Sequence, residues 1–250
     1  MGILLKDYKT SLSKIETQNK EKFFTRALKF LYEPSKIFKK LKYEIVEKRI
    51  IECDTEERFS KMGISAVFST NFNKKEREKI TKIQEKIIFQ ILKKKLKKES
   101  KVLDFGCGYG RFSNFFVKRF SSFYFGVEKS KSLLKTLKNE KKKKFLSYSN
   151  FVKNKKFKGY FDLCFVVGVL GGMPKNKIKK YIKILKNSIK PDGLIFFIEI
   201  ISDREIEGVW RFRTINFYKS LFSDFKISSE FYFIEDGRNK GIFLGKKINP

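Results

Sequence analysis

The sequence predicts an α/β fold: a mostly parallel sheet crossed by helices, finished by an antiparallel hairpin and preceded by a helical stretch. Three observations lead there. From Lys101 onward, short apolar runs alternate with lysine-rich amphipathic segments, the pattern of parallel strands joined by crossover helices. Before that point apolar residues recur at helical spacing and turn signals are few. The last two strand-like runs are joined through Glu235-Asp236-Gly237, and Asp-Gly between strands favours a tight hairpin. The change of pattern falls near Glu99-Ser100, so residues 1–98 are expected to form a helical N-terminal cap or extension and residues 99–250 the α/β domain.

In order along the chain, Phe23, Phe24, Ala27, Leu28 and Leu31 share a helical face, as do Ile37, Phe38, Leu41 and Ile45 beyond Pro34. Residues 60–73 mix Gly, Ser, Thr and Asn with Phe68 and Phe72 and read as irregular. Asn73 followed by Glu76 has the spacing of a capping box, and Ile80, Ile83, Ile87, Ile91 and Leu92 then define one face of a helix running to about Lys98. Strands are expected at 102–105, 123–127, 145–148, 160–167 and 193–201, with helices at 112–120, 133–138 and 175–189 between them. Lys190-Pro191-Asp192-Gly193 should stop the last of these helices and turn the chain. A helix at 215–222 and strands at 225–234 and 241–245 complete the series.

Composition excludes several classes of function. Apolar residues make up 41% and aromatics 16%, too many for a disordered chain. Three cysteines without a C-x-x-C pair and no histidine argue against a disulfide framework and a metal centre, and fit a reducing, cytoplasmic home. The most apolar stretch, residues 161–174, carries Asp162 and is broken by Gly and Pro, so no membrane span is expected. The N-terminal Met-Gly-Ile-Leu-Leu-Lys lacks the apolar core of a secretory signal, and Lys6 stands where a myristoylation motif would have Ser or Thr. The net charge of +31 would suit a polyanionic partner. A skew towards Lys, Phe and Ile is also what an AT-rich coding sequence imposes, and the excess is spread along the chain. Nucleic acid is therefore a possible partner but not the favoured one.

The chemistry is concentrated in Val102-Leu103-Asp104-Phe105-Gly106-Cys107-Gly108-Tyr109-Gly110-Arg111-Phe112. A buried strand runs through three alternate glycines into a helix, which brings bare backbone close to a ligand. The dinucleotide fingerprint would need Gly at 111, where Arg stands, and the Lys-Ser/Thr of a P-loop is missing. Glu128 ends the next strand, where a carboxylate can accept from two vicinal ribose hydroxyls.

On these residues the chain, most clearly over 101–201, resembles a class I S-adenosylmethionine-dependent methyltransferase. The resemblance implies a Rossmann-like, seven-stranded, mostly parallel sheet with its last strand reversed, S-adenosylmethionine as cofactor and S-adenosylhomocysteine as product. It also implies that Asp104 helps fix the cofactor's amino group. Gly106, Cys107, Gly108 and Gly110 would line its methionine moiety, Glu128 would hold its ribose, and Lys129 would lie beside the adenine. Asn150, in Ser149-Asn150-Phe151, would offer an amide oxygen where the family often has an adenine-binding Asp, and Val167 would border the site from the fourth strand. The sequence departs from the family at Gly171 and Gly172, where many relatives acting on small molecules carry His or Glu. The D/N-P-P-aromatic motif of nucleobase amine methylation is absent, as is the Pro-Cys of cytosine carbon methylation.

Without histidine, a general base would have to come from Glu199, Asp203, Glu205 or Tyr109. Trp210, Arg211 and Arg213 follow the fifth strand at the sheet edge where ligands bind in open α/β folds, and either arginine could pair a carboxylate or phosphate of the substrate. Cys107 and Cys164 read as small apolar packing residues. Three functions fit: a methyltransferase acting on an O or N atom of a small-molecule acceptor, one acting on RNA or a ribosomal component through the basic surface, and a catalytically inactive cofactor-binding protein.

Overall fold

Residues 73–203, 205, 211–235 and 238–248 are described by a computed structural model of the chain. The expected helices before residue 73, the irregular segment at 60–72 and Trp210 lie outside these residues. The described elements, in order, are α1 (Lys74–Leu92), β1 (Lys101–Phe105), α2 (Ser113–Phe120), β2 (Phe123–Glu128), α3 (Lys131–Leu134), β3 (Lys143–Ser147), α4 (Tyr148–Lys153) and a 3-10 turn (Lys155–Phe157). β4 (Phe161–Val167), α5 (Lys175–Ser188), β5 (Ile189–Ile200), α6 (Ile215–Leu221), β6 (Phe225–Glu235) and β7 (Arg238–Lys247) follow. The strands form one seven-stranded sheet in the order β3-β2-β1-β4-β5-β7-β6. Neighbours are parallel from β3 to β5, and β7 runs antiparallel to both β5 and β6.

Strand alternation divides the apolar side chains between two faces. Val102, Tyr124, Phe165 and Phe196 share one core with Ile80, Ile87 and Ile88 of α1 and Phe115 and Phe116 of α2. Leu103, Phe105, Cys164 and Phe197 share the other with Phe151, Ile178, Ile182, Tyr218 and Phe222. Both faces of the central strands are thus buried, which is why these strands read as near-continuous apolar runs. Phenylalanine fills much of this interior through ring contacts such as Phe165 on Phe196 at 5.4 Å and Phe197 on Phe243 at 4.5 Å.

The capping box at α1 forms: Asn73 Oδ1 accepts from Glu76 N at 3.0 Å and Glu76 Oε2 from Asn73 N at 2.7 Å. Three expectations shift. α1 ends at Leu92, since the next four residues turn the chain towards β1. α3 is a single turn rather than a helix over 133–138. β5 begins at Ile189, because residues 190–193 enter the strand through an irregular register opposite Phe161–Leu163, with Asp192 at φ +58°. Asp162 ties this corner together, accepting from Lys101 N at 2.7 Å and pairing with Lys190 at 2.6 Å.

Candidate cofactor and acceptor site

Strand order reverses between β1 and β4, and the crevice beyond the carboxyl ends of strands at such a point is where open α/β sheets bind ligands. The glycine bend sits there. Gly106, Gly108 and Gly110 have φ of +77°, +59° and +72°, a conformation that side-chain-bearing residues adopt only with strain. Close approach adds a second reason at Gly106, where a Cβ would stand 2.5 Å from Val169 Cγ2. The bend is fastened to β2: Gly106 N and Cys107 N both donate to Val127 O, at 2.8 and 3.1 Å.

Glu128 joins the two halves of the motif. Its Oε2 accepts from Gly108 N at 2.9 Å, while Oε1 accepts from Lys129 N at 2.7 Å and Ser130 N at 2.9 Å. The residue is only 7% exposed. A carboxylate offers about four acceptor positions; three are filled here, which leaves one for a ligand hydroxyl. The bare backbone of the glycine bend and the acidic strand end together fit a ribose-bearing ligand.

Asp104 lies beneath the bend, 3% exposed, with Oδ2 accepting from Tyr124 Oη at 2.6 Å. Burial raises its pKa from 3.8 to about 7, against the lowering influence of the Tyr124 hydrogen bond and of Arg111; Glu128 adds to the rise. Tyr124 was not singled out by the sequence, yet register could have found it. Tyr124, Gly126 and Glu128 alternate on one face of β2, and Asp104 stands opposite Gly126. The bare Gly126 makes room for the bend, since a Cβ there would be 2.8 Å from Cys107 Sγ and 2.7 Å from Phe145 Cδ1. Cys107 and Cys164 are buried, and burial pushes both thiols up in pKa, away from nucleophilic use.

The remaining expected cofactor contacts border the same end of the sheet. Lys129 and Asn150 are exposed, Val167 is half-buried at the end of β4, and Asn150 lies in the first turn of α4, where its backbone N donates to the Ser147 cap. On the acceptor side the structure separates the four base candidates. Glu199 is 2% exposed, and its carboxylate accepts from Val169 N at 2.9 Å, Leu170 N at 2.8 Å and Gly171 N at 3.1 Å. Burial raises its pKa from 4.5 to about 7, opposed by those three backbone donors and by Lys240. Glu199 thus shapes the loop after β4, whose Val169 lies over Gly106. Glu205 pairs with Lys175, and Asp203 is exposed. Tyr109 has its pKa raised by burial, although Arg111, Arg77 and a hydrogen bond with Thr81 oppose the rise.

Arg213 is 0% exposed; it donates to Met173 O at 3.1 Å and its guanidinium lies 5.0 Å from the Phe217 ring centroid. Arg211, half-buried, donates to Gly172 O at 3.3 Å. Both arginines therefore tie the 211–214 segment to the loop after β4, with Ser202 N donating to Arg213 O at 2.9 Å. Among the described residues there is no group of three His, Cys, Asp or Glu side chains that could hold a metal ion, and no helix long and apolar enough to cross a membrane.

A seven-stranded sheet with a reversed last strand, a glycine bend after β1 and an acid closing β2 defines the architecture of cofactor-dependent methyltransferases. Residues 73–223 match the family described as a methyltransferase domain, and the chain belongs to that family. No curated protein matches the sequence. Among solved structures, PH0226 protein from Pyrococcus horikoshii OT3 is similar at TM-score 0.58 and 17% identity, over 73% of this chain and 97% of that one. A Burkholderia thailandensis 1,6-didemethyltoxoflavin-N1-methyltransferase, solved with 1,6-didemethyltoxoflavin and S-adenosylhomocysteine, is similar at TM-score 0.57 and 14% identity, over 79% and 92%. The [4+2]-cyclase SpnF shares the fold at TM-score 0.58 and 12% identity, over 68% and 83%. At such identities the likeness concerns the fold alone, and the fold hosts more than one reaction.

Proposed function

We propose that the protein transfers a methyl group from S-adenosylmethionine to a nitrogen atom of a small-molecule acceptor. The observation that carries this reading is the hydrogen bond from Gly108 N to Glu128 Oε2, which holds the glycine bend and the acidic strand end together at the sheet's switch point. The cofactor supplies an electrophilic methyl on a sulfonium, so the protein has chiefly to align and to exclude water. Positioning of this kind contributes on the order of 7–11 kcal/mol in the most favourable intramolecular cases. In this reading Glu128 binds the ribose, the bend from Gly106 to Gly110 receives the methionine portion, and Asn150 and Lys129 border the adenine.

Nitrogen is preferred over oxygen because of the acceptor side. A hydroxyl acceptor needs a base, whereas an amine reacts from its free-base form and releases its proton to water. Of the four candidates, Glu199 is committed to three backbone donors, Glu205 to Lys175, and the Tyr109 phenol is pushed up in pKa, which leaves only the exposed Asp203. A small acceptor accords with the absence of nucleobase-methylation motifs after β4. The bound substrate of the Burkholderia enzyme is itself a small molecule. In this reading the cap over the acceptor would come from the residues preceding α1, since α1 itself is buried against one face of the sheet.

Calorimetric titration with S-adenosylmethionine tests the site. Glu128→Ala and Asp104→Ala, each checked for retained fold by circular dichroism, are expected to weaken binding at least tenfold. Wild-type affinity in both variants would overturn the assignment. Transfer of labelled methyl to candidate amines then separates an enzyme from an inactive binding protein.

A further inference from the structure

A cavity of about 360 Å3 is lined by residues of the β2–β3 pair, the turn before β3 and the 3-10 turn. Its lining includes Lys141, Lys142, Lys144 and Lys156 and contains no carboxylate. Alternation places Phe123, Phe125 and Lys144 on one side of the two strands, since Phe125 stands opposite Lys144 in register. The rings and ammonium groups are interleaved: Lys142 Nζ lies 5.2 Å from the Phe123 centroid and Lys156 Nζ 5.4 Å from that of Phe157.

Two features set this hollow apart from the general lysine excess. First, the chain between Glu140 and Asp162 contains no acidic residue at all. Elsewhere on the described surface lysines meet acids, as in Lys186–Asp224, Lys190–Asp162 and Lys246–Asp192. Here Lys141, Lys144 and Lys156 are exposed and form no ion pair among the described residues, while Lys142 reaches Glu99 only at 3.8 Å. Like charges gathered round one concavity repel, and an incoming polyanion relieves that repulsion. Second, β3 is an edge strand whose outer backbone is already engaged. Asn139 Oδ1 accepts from Phe145 N at 2.7 Å, and Glu140 and Lys143 exchange backbone bonds. Side-chain charge and ring faces, rather than strand addition, are what the edge offers a partner.

We propose that this cleft docks the phosphates of a single-stranded nucleic acid, with a base lying against the half-buried rings of Phe123 and Phe125. Lysines tracking a backbone beside aromatic platforms are the means by which unpaired strands are held without sequence preference. The cavity, at the small end of the roughly 300–1,000 Å3 range of ligand pockets, has room for a base and its phosphate rather than for a duplex. The docking does not rest on the methyl-transfer reading, because its lysines and the rings of Phe123 and Phe125 are not cofactor-site residues; Tyr124 and Phe145, which also line the cavity, back the region of Asp104 and the glycine bend.

Fluorescence anisotropy with the full chain and a labelled short oligouridylate, titrated between about 50 and 200 mM salt, tests it. The variant K141Q/K144Q/K156Q is compared with K177Q/K179Q/K183Q, which removes the same charge from exposed positions on α5. The cleft variant is expected to bind at least tenfold more weakly, with a salt slope shallower by about two, given ~0.7 per neutralised phosphate on a single strand. The α5 variant should stay within twofold of wild type. Equal losses in the two variants would reduce the effect to net charge and overturn the proposal, as would no binding by the wild-type chain at about 150 mM salt.

Discussion

At the scale of single residues, two buried carboxylates dominate the electrostatics. Asp104 and Glu199 both have pKa values raised by burial to about 7. Each therefore binds its proton more tightly in the folded chain than in the unfolded one. Between their ordinary values, 3.8 and 4.5, and about 7, the folded state holds more protons, so their contribution to stability falls as pH rises across that window and stays low above it. Asp104→Asn keeps an acceptor for Tyr124 Oη and removes the buried charge. Thermal melts should show Tm of this variant gaining on wild type as pH rises from about 5 to 8; a constant difference across that range would refute the shifted titration of Asp104.

At the scale of elements, the loop after β4 is held by the end of β5. Glu199 satisfies three consecutive backbone donors, and Gly171 is bare where a Cβ would lie 2.8 Å from Tyr218 Oη and 3.2 Å from Glu199 Oε2. The position at which the family resemblance would place a His or Glu is thus closed off by Tyr218 and Glu199. A buried donor left unsatisfied costs about 1–3 kcal/mol, so Glu199→Ala should lose at least ~2 kcal/mol in urea unfolding, with Glu199→Gln recovering part because one amide oxygen remains. Equal stability of wild type and Glu199→Ala would show that the loop does not depend on this carboxylate. Element order and type were largely readable, because apolar runs and 3.6-residue periodicity survive even in a lysine-rich chain. α4 and the 3-10 turn were not, since helices this short carry too few residues for a period and rest on side-chain caps from Ser147 and Asn154.

At the scale of the whole molecule, a net charge of +31 opposes compaction through self-repulsion. Raising ionic strength from about 10 to 150 mM shortens the Debye length from ~30 to ~8 Å, and Tm is expected to rise over that range. A Tm that falls with salt would mean that attractive pairs such as Lys186–Asp224 outweigh the repulsion. The two apolar cores, one on each face of the sheet, supply the opposing drive.

The amino-acid order alone determined the α/β class, the hairpin at its end, the glycine bend and the acid at 128, because each is written in local spacing: strand runs, Asp-Gly, alternate glycines. What only tertiary structure decided is which polar groups are already engaged. Glu199, one of four candidate bases, holds a loop through three backbone donors, Arg213, a candidate substrate contact, lies in the interior, and Tyr124, which carries no motif of its own, donates to Asp104. Burial and hydrogen-bond partnership arise between strands far apart in sequence, and no local pattern encodes them.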